Sequence, residues 1–303
     1  MFRYLERSEN IARLIDAGIR MALTRDSVAA EEEWRSIVET AGQGRTYEQR
    51  HRTYTGIQVW NFMLRNRENP QSVLTMMEMV RTNARLARNA ISSEVWEAVN
   101  EAWLTLKEDL AQPVGQNHVG NAAAHVRRFA IQAHGAMQGS MLRSSGYHFA
   151  RAGSFIERAD SIARTLDIKY YLLLPSLSYV GSSLDTGQWE TVLRSVAGDR
   201  AFRSIHAGRQ DARSIVEFLV LDDRFPRSLA FSHSALRDEL AALARLHGRE
   251  GRSNELMRAS DMRLSNLTID DVFDQGLHEF LVDYSATNAA IAEAVAEDYR
   301  FHA

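Results

Sequence analysis

The stretch YLERSENIARLID spans Tyr4–Asp16, and FIERADSIARTLD spans Phe155–Asp167. Six of the thirteen positions are identical, at an interval of 151 residues in a chain of 303. In both copies the apolar residues recur at three and four, the spacing of an amphipathic helix. Four charges recur at i, i+3, i+7 and i+10: Glu6, Glu9, Arg13 and Asp16, then Glu157, Asp160, Arg164 and Asp167. That spacing places all four on one helix face. Glu9 with Arg13, and Asp160 with Arg164, stand in the favourable acid-before-base order, worth only about 0.2–0.5 kcal/mol each on an exposed surface. So small a gain does not explain why both copies keep the stripe.

The repetition extends outward from these helices. Trp34 pairs with Trp189, and Phe62, Pro70 and Ser72 match Phe218, Pro226 and Ser228 at a constant offset of 156. The unit is too long for a solenoid repeat. Two copies of a helical domain fit better, 1–145 and 146–303, expected to form one compact unit together. The expected fold is therefore all-α, a duplicated multi-helix bundle whose two similar halves pack about a pseudo-twofold axis, as like surfaces do in homodimers.

Composition narrows the class. The chain has four prolines, no cysteine and a net charge of −3. So few prolines suit long helices with short links. The lack of cysteine excludes disulfides, thiolate metal sites and cysteine nucleophiles. The charge lacks the basic excess of a nucleic-acid binder. No run approaches the ~20 apolar residues of a membrane span, and the N-terminus lacks a signal-peptide core. A cytoplasmic protein with no membrane and no nucleic-acid partner is expected.

Along the chain, helices are expected over 28–40, 46–65 and from Pro70, as a first-turn proline, to Asn89. Ser92 or Ser93 caps the next. The segment 112–120 reads as a link before a long helix to about Arg143. Loops are expected at 176–187 and 247–255. Thr268 with Asp271 resembles a capping box for the last helix.

No cofactor motif is found: no phosphate-binding glycine loop and no nucleophile elbow. Di-iron bundles need Glu-x-x-His on two helices. Only Glu48–His51 fits, so no metal is expected. His118 and His125 are seven apart, but the first falls in the link. Arg81, Arg85 and Arg88, with Asn83, form a basic stripe that reads either as a solvated face or as a site for a carboxylate or phosphate. Arg237 is the basic counterpart of Arg81 at the offset of 156.

The two helices and the segments EEEWRSIV, SSEVWEAVNEAW, RFPRSLAFS and DQGLHEFL resemble the alpha-E family over the whole chain. These are bacterial all-helical proteins that carry the Glu-Arg (ER) motif as a tandem duplication. Family members begin with a longer run ending in a GRYLER-like segment, so a turn or two of the first helix is expected to be missing here. The resemblance implies a context rather than an activity. Alpha-E proteins are encoded beside circularly permuted ATP-grasp ligases and transglutaminase-like proteases, in systems thought to make or modify peptides.

Two readings of the ER residues stay open. Glu6, Arg7, Glu9, Arg13, Asp16 and their twins Glu157, Arg158, Asp160, Arg164 and Asp167 form either an interhelical ion-pair network or the lining of one polar cleft. The first suits an accessory, scaffold or substrate-carrying protein without independent activity. The second suits an enzyme with Glu6 and Glu157 as acid and base, and Arg7 and Arg158 holding a carboxylate. A helical di-metal protein is the distant third.

Overall fold

The computed structural model describes residues 1–22, 27–172, 183–206 and 211–301. The chain divides into two compact units, Met1–Tyr147 and His148–Ala303. Among the described residues all regular structure is helical, and no helix is long and apolar enough to cross a membrane.

The first unit is built on four long helices: α1 (Phe2–Ala22), α5 (Val73–Leu86), α6 (Ser93–Asp109) and α7 (Gln116–Ser140). Each packs on the next and α7 returns to α1, closing a four-helix bundle. The shorter α2 (Ser27–Thr40), α3 (Gly44–Glu48) and α4 (Gly56–Arg65) lie between α1 and α5 in sequence. Leu5, Ile11, Ala12 and Ile15 on α1 are buried, as are Met76, Met77 and Val80 on α5 and Val126, Ala130 and Ala133 on α7. The small residues of α7 allow a close helix approach. Aromatic contacts hold the short helices: Trp34 meets Trp60 edge-on, and Tyr47 stacks on Tyr54. The α6–α7 turn is pinned by α4. Trp60 Nε1 donates to Val114 O at 2.8 Å, and Val114 N donates to Asn61 Oδ1 at 2.8 Å.

The second unit is likewise helical. Its helices are α8 (Ser145–Leu172, which begins just before the unit boundary), α9 (Ser183–Ser195), α10 (Asp199–His206), α11 (Ala212–Leu221), α12 (Leu229–His247), α13 (Arg252–Leu264), α14 (Ile269–Gln275) and α15 (Leu277–Asp298). Ala152, Phe155 and Ile156 of α8 share one buried cluster with Leu236, Leu240 and Leu243 of α12, Met257 of α13, and Ile291 and Val295 of α15. A second cluster joins Ile162 and Leu166 to Trp189, Phe202, Phe218 and Phe280. Ser72 and Ser228, at the offset of 156, both cap the second bundle helix of their unit through their side chains.

Several expected boundaries move. The helix expected over 46–65 is two, because residues 49–55 turn to bring Tyr54 over Tyr47, with Tyr47 donating to Thr53 O at 2.8 Å. Pro70 is not a first-turn proline. Ser72 caps α5, and Pro70 stands in the preceding turn closed by Asn69. Of the two candidate caps, Ser92 serves α6. The link at 112–120 is shorter than expected, since α7 already starts at Gln116 and includes His118. The Thr268–Asp271 capping box forms, but on the short α14; Gly276 at φ 95° separates it from α15. The 247–255 loop is narrower, with α13 starting at Arg252. In the other expected loop, 183–187 is helical and 176–182 lies outside the described residues.

Candidate functional site

On α1 the ER residues do not form a solvated face. Glu6 is 0% exposed and Glu9 2%. Carboxylates enter an interior only where charge and hydrogen bonds compensate the lost water. For Glu9, Arg13 one turn on is one such group. Its Nε and Nη2 donate to the same oxygen, Oε1, at 3.0 and 2.7 Å. Arg7 is half-buried.

Helix α7 supplies the facing groups. Arg127 Nη1 is 3.0 Å from Asp16 Oδ2, and His134 Nε2 is 3.4 Å from Glu6 Oε2. Arg127 and His134 are seven residues apart and so share a face. Their partners run in the reverse order on α1, so the two helices are antiparallel. Phe2 packs its ring against the His134 imidazole, centroid to centroid at 5.3 Å. One ligand atom each from Glu6, Glu9 and His134 lie within 4.8 Å of one another.

On α8 the same stripe is treated differently. Glu157 is buried at 1% exposure. Arg164 pairs with Asp160 one turn before it, as expected from the spacing. Asp167 takes His278 Nδ1 at 2.5 Å. Arg158 donates to Pro226 O at 3.3 Å and lies over the Phe155 ring. Burial, and then the nearby Asp160 carboxylate, push the Tyr284 phenol of α15 well above its ordinary range. Arg151 Nε and His148 Nδ1 both reach Glu239 on α12, each at 2.6 Å.

The basic stripe on α5 is not continuous. The helix ends at Leu86, so Arg88 falls in the following turn, over the Trp96 ring. Arg81 Nε donates to Asn100 Oδ1 at 2.9 Å, Arg85 is exposed and Asn83 half-buried. Its counterpart Arg237 is held by Asp261 at 3.0 Å. The Glu48–His51 pair does not share a helix, because α3 stops at Glu48, which accepts from the Tyr54 hydroxyl. His118 and His125 do share α7, but His125 meets Asp109 at 2.6 Å. His134 escaped the sequence reading. Nothing near it in the chain marks it as a partner of Glu6.

These features define an all-helical protein of two bundle units, each opening on a helix with a buried glutamate followed by arginine. The chain belongs to the Alpha-E family, described as a predicted alpha-helical domain with a conserved ER motif, which matches residues 1–299. No curated protein and no solved structure matches it.

Proposed function

We propose that this protein is a non-catalytic accessory or scaffold of a cytoplasmic peptide synthesis or modification system. Its partners would be an ATP-grasp-type ligase and a transglutaminase-like protease, the context that the family resemblance implies. The observation that supports a scaffold over an enzyme is the burial of both ER glutamates, Glu6 and Glu157. A general acid or base must reach the proton it transfers. Both carboxylates lie beneath the surface of well-packed helices, which suits a framework that fixes helix docking.

The test mixes the purified chain with the ligase encoded beside it and follows complex formation by calorimetry, while assaying the chain alone for peptide ligation and hydrolysis. A stable complex with no turnover by the isolated chain is expected. Turnover of a peptide by the isolated chain, lost in Glu157→Gln, would overturn the reading.

A further inference from the structure

We infer that Glu6, Glu9 and His134 form a binding site for a single first-row divalent cation, of the Zn²⁺, Fe²⁺ or Mn²⁺ class, in the first bundle. The inference stands apart from the scaffold proposal, since it concerns what holds α1 to α7.

The His134–Glu6 contact carries it. His134 is 20% exposed, but its Nε2 atom is buried and, among the described residues, makes no hydrogen bond. If Nε2 carried a proton, the nearby carboxylate would be its natural acceptor, yet the hydrogen-bond geometry is not met. If Nε2 carries none, its lone pair faces a carboxylate oxygen 3.4 Å away. A divalent cation placed between them would take up that lone pair and the carboxylate charge together. Two ligands each about 2.1 Å from one ion, at a tetrahedral angle, are about 3.4 Å apart. The observed separation of the His134 and Glu6 atoms matches one edge of such a shell.

The other groups agree. Glu6 and Glu9 are i, i+3 on α1 and project from one face, so one helix supplies two oxygens and α7 supplies the nitrogen. Metal sites in helical bundles are built from side chains on facing helices in this way. Arg13 donates to Oε1 of Glu9, as an outer partner that orients a ligating carboxylate. Phe2 restrains the imidazole plane. Two carboxylate oxygens with one imidazole suit Zn²⁺, Fe²⁺ or Mn²⁺; the nitrogen disfavours Mg²⁺ and Ca²⁺.

The second unit serves as an internal control. The pairs Asp16–Arg127 and Asp167–His278 set a register of 151 residues between the two units. At that register His134 corresponds to Ser285, which offers no imidazole. The site should therefore occur once per chain.

Equilibrium dialysis of the full chain against Zn²⁺, and separately Mn²⁺, tests this, with Mg²⁺ as competitor. One ion per chain is expected, undisturbed by Mg²⁺ and accompanied by a higher Tm. His134→Gln and Glu9→Gln should each weaken binding more than tenfold, and Glu157→Gln should leave it unchanged. No saturable binding, or binding that survives His134→Gln, overturns the inference. Should His134→Gln not fold, ¹⁵N-histidine spectra of the wild-type chain read the same contact. Zn²⁺ must then shift the Nε2 resonance that Glu9→Gln protects from shifting, and no such shift is equally fatal.

Discussion

Arg127 Nη1 stands 3.0 Å from Asp16 Oδ2, and 151 residues later His278 Nδ1 stands 2.5 Å from Asp167 Oδ1. Each pair ties the first helix of its unit to the last. The acid is retained at both places while its partner changes from a guanidinium to a histidine ring. Both partners in the first pair are only half-buried, so the attraction is modest. A double-mutant cycle with Asp16→Asn and Arg127→Met should give a coupling of about 0.5–1 kcal/mol in urea unfolding, reduced by salt.

Removing the arginine from the two i, i+4 pairs should have unequal effects. Arg13 and Glu9 are 16% and 2% exposed, whereas Arg164 and Asp160 are 36% and 25%. Arg13→Met takes a guanidinium from a buried carboxylate, at a cost of about 3 kcal/mol. Arg164→Met should cost about 1 kcal/mol or less, because water can replace the lost charge. Denaturant midpoints of the two variants would compare them, and equal losses would contradict the burial argument.

His233 on α12 predicts a pH dependence. It is 6% exposed, with Asp261, Arg237 and the Tyr284 ring around it. Burial lowers its pKa from 6.5 to about 4; Asp261 opposes the shift and Arg237 adds to it. Above pH 6.5 the imidazole is neutral in both the folded and the unfolded chain. Between 6.5 and 4 the unfolded chain takes up the proton and the folded one does not, so stability falls as pH falls. The loss from this residue between pH 7 and pH 5 is about 2 kcal/mol. Unfolding free energies measured at both pH values should show it, and His233→Gln should remove that share.

Gly251 predicts a packing defect. Asp298 Oδ2 accepts from Ser253 N at 2.8 Å and Ser253 Oγ at 2.6 Å, and Oδ1 accepts from Arg252 N at 3.1 Å. Burial pushes this carboxyl up, but these bonds outweigh it and hold its pKa below the ordinary value. A Cβ at Gly251 would collide with the same carboxylate. Gly251→Ala should therefore lower stability by about 1–3 kcal/mol, read as a fall in Tm, by displacing the group that caps α13.

Much of this was legible along the chain. Helical spacing identified the all-α class, because burial of one face imposes a period near 3.6 wherever it occurs. The Glu9–Arg13 and Asp160–Arg164 pairs, the Ser92 cap and the Thr268–Asp271 box involve residues within one turn. Local geometry alone brings such residues together. The misplaced boundaries had non-local causes. The turn at 49–55 follows from Tyr54 stacking on Tyr47. The isolated Pro70 gave no hint that Ser72 would cap α5.

The sequence by itself determined the all-helical class and the polar positions that both ER copies keep. Tertiary structure alone decided what those positions are. It buried Glu6 and Glu9, left Asp16 and Asp167 nearer the surface, and brought His134 to Glu6 from a helix at the far end of the unit. The periodicity of one helix specifies a face but not the neighbour it meets. Only closure of the four-helix ring sets α7 antiparallel against α1, and with it which side chains share the interior.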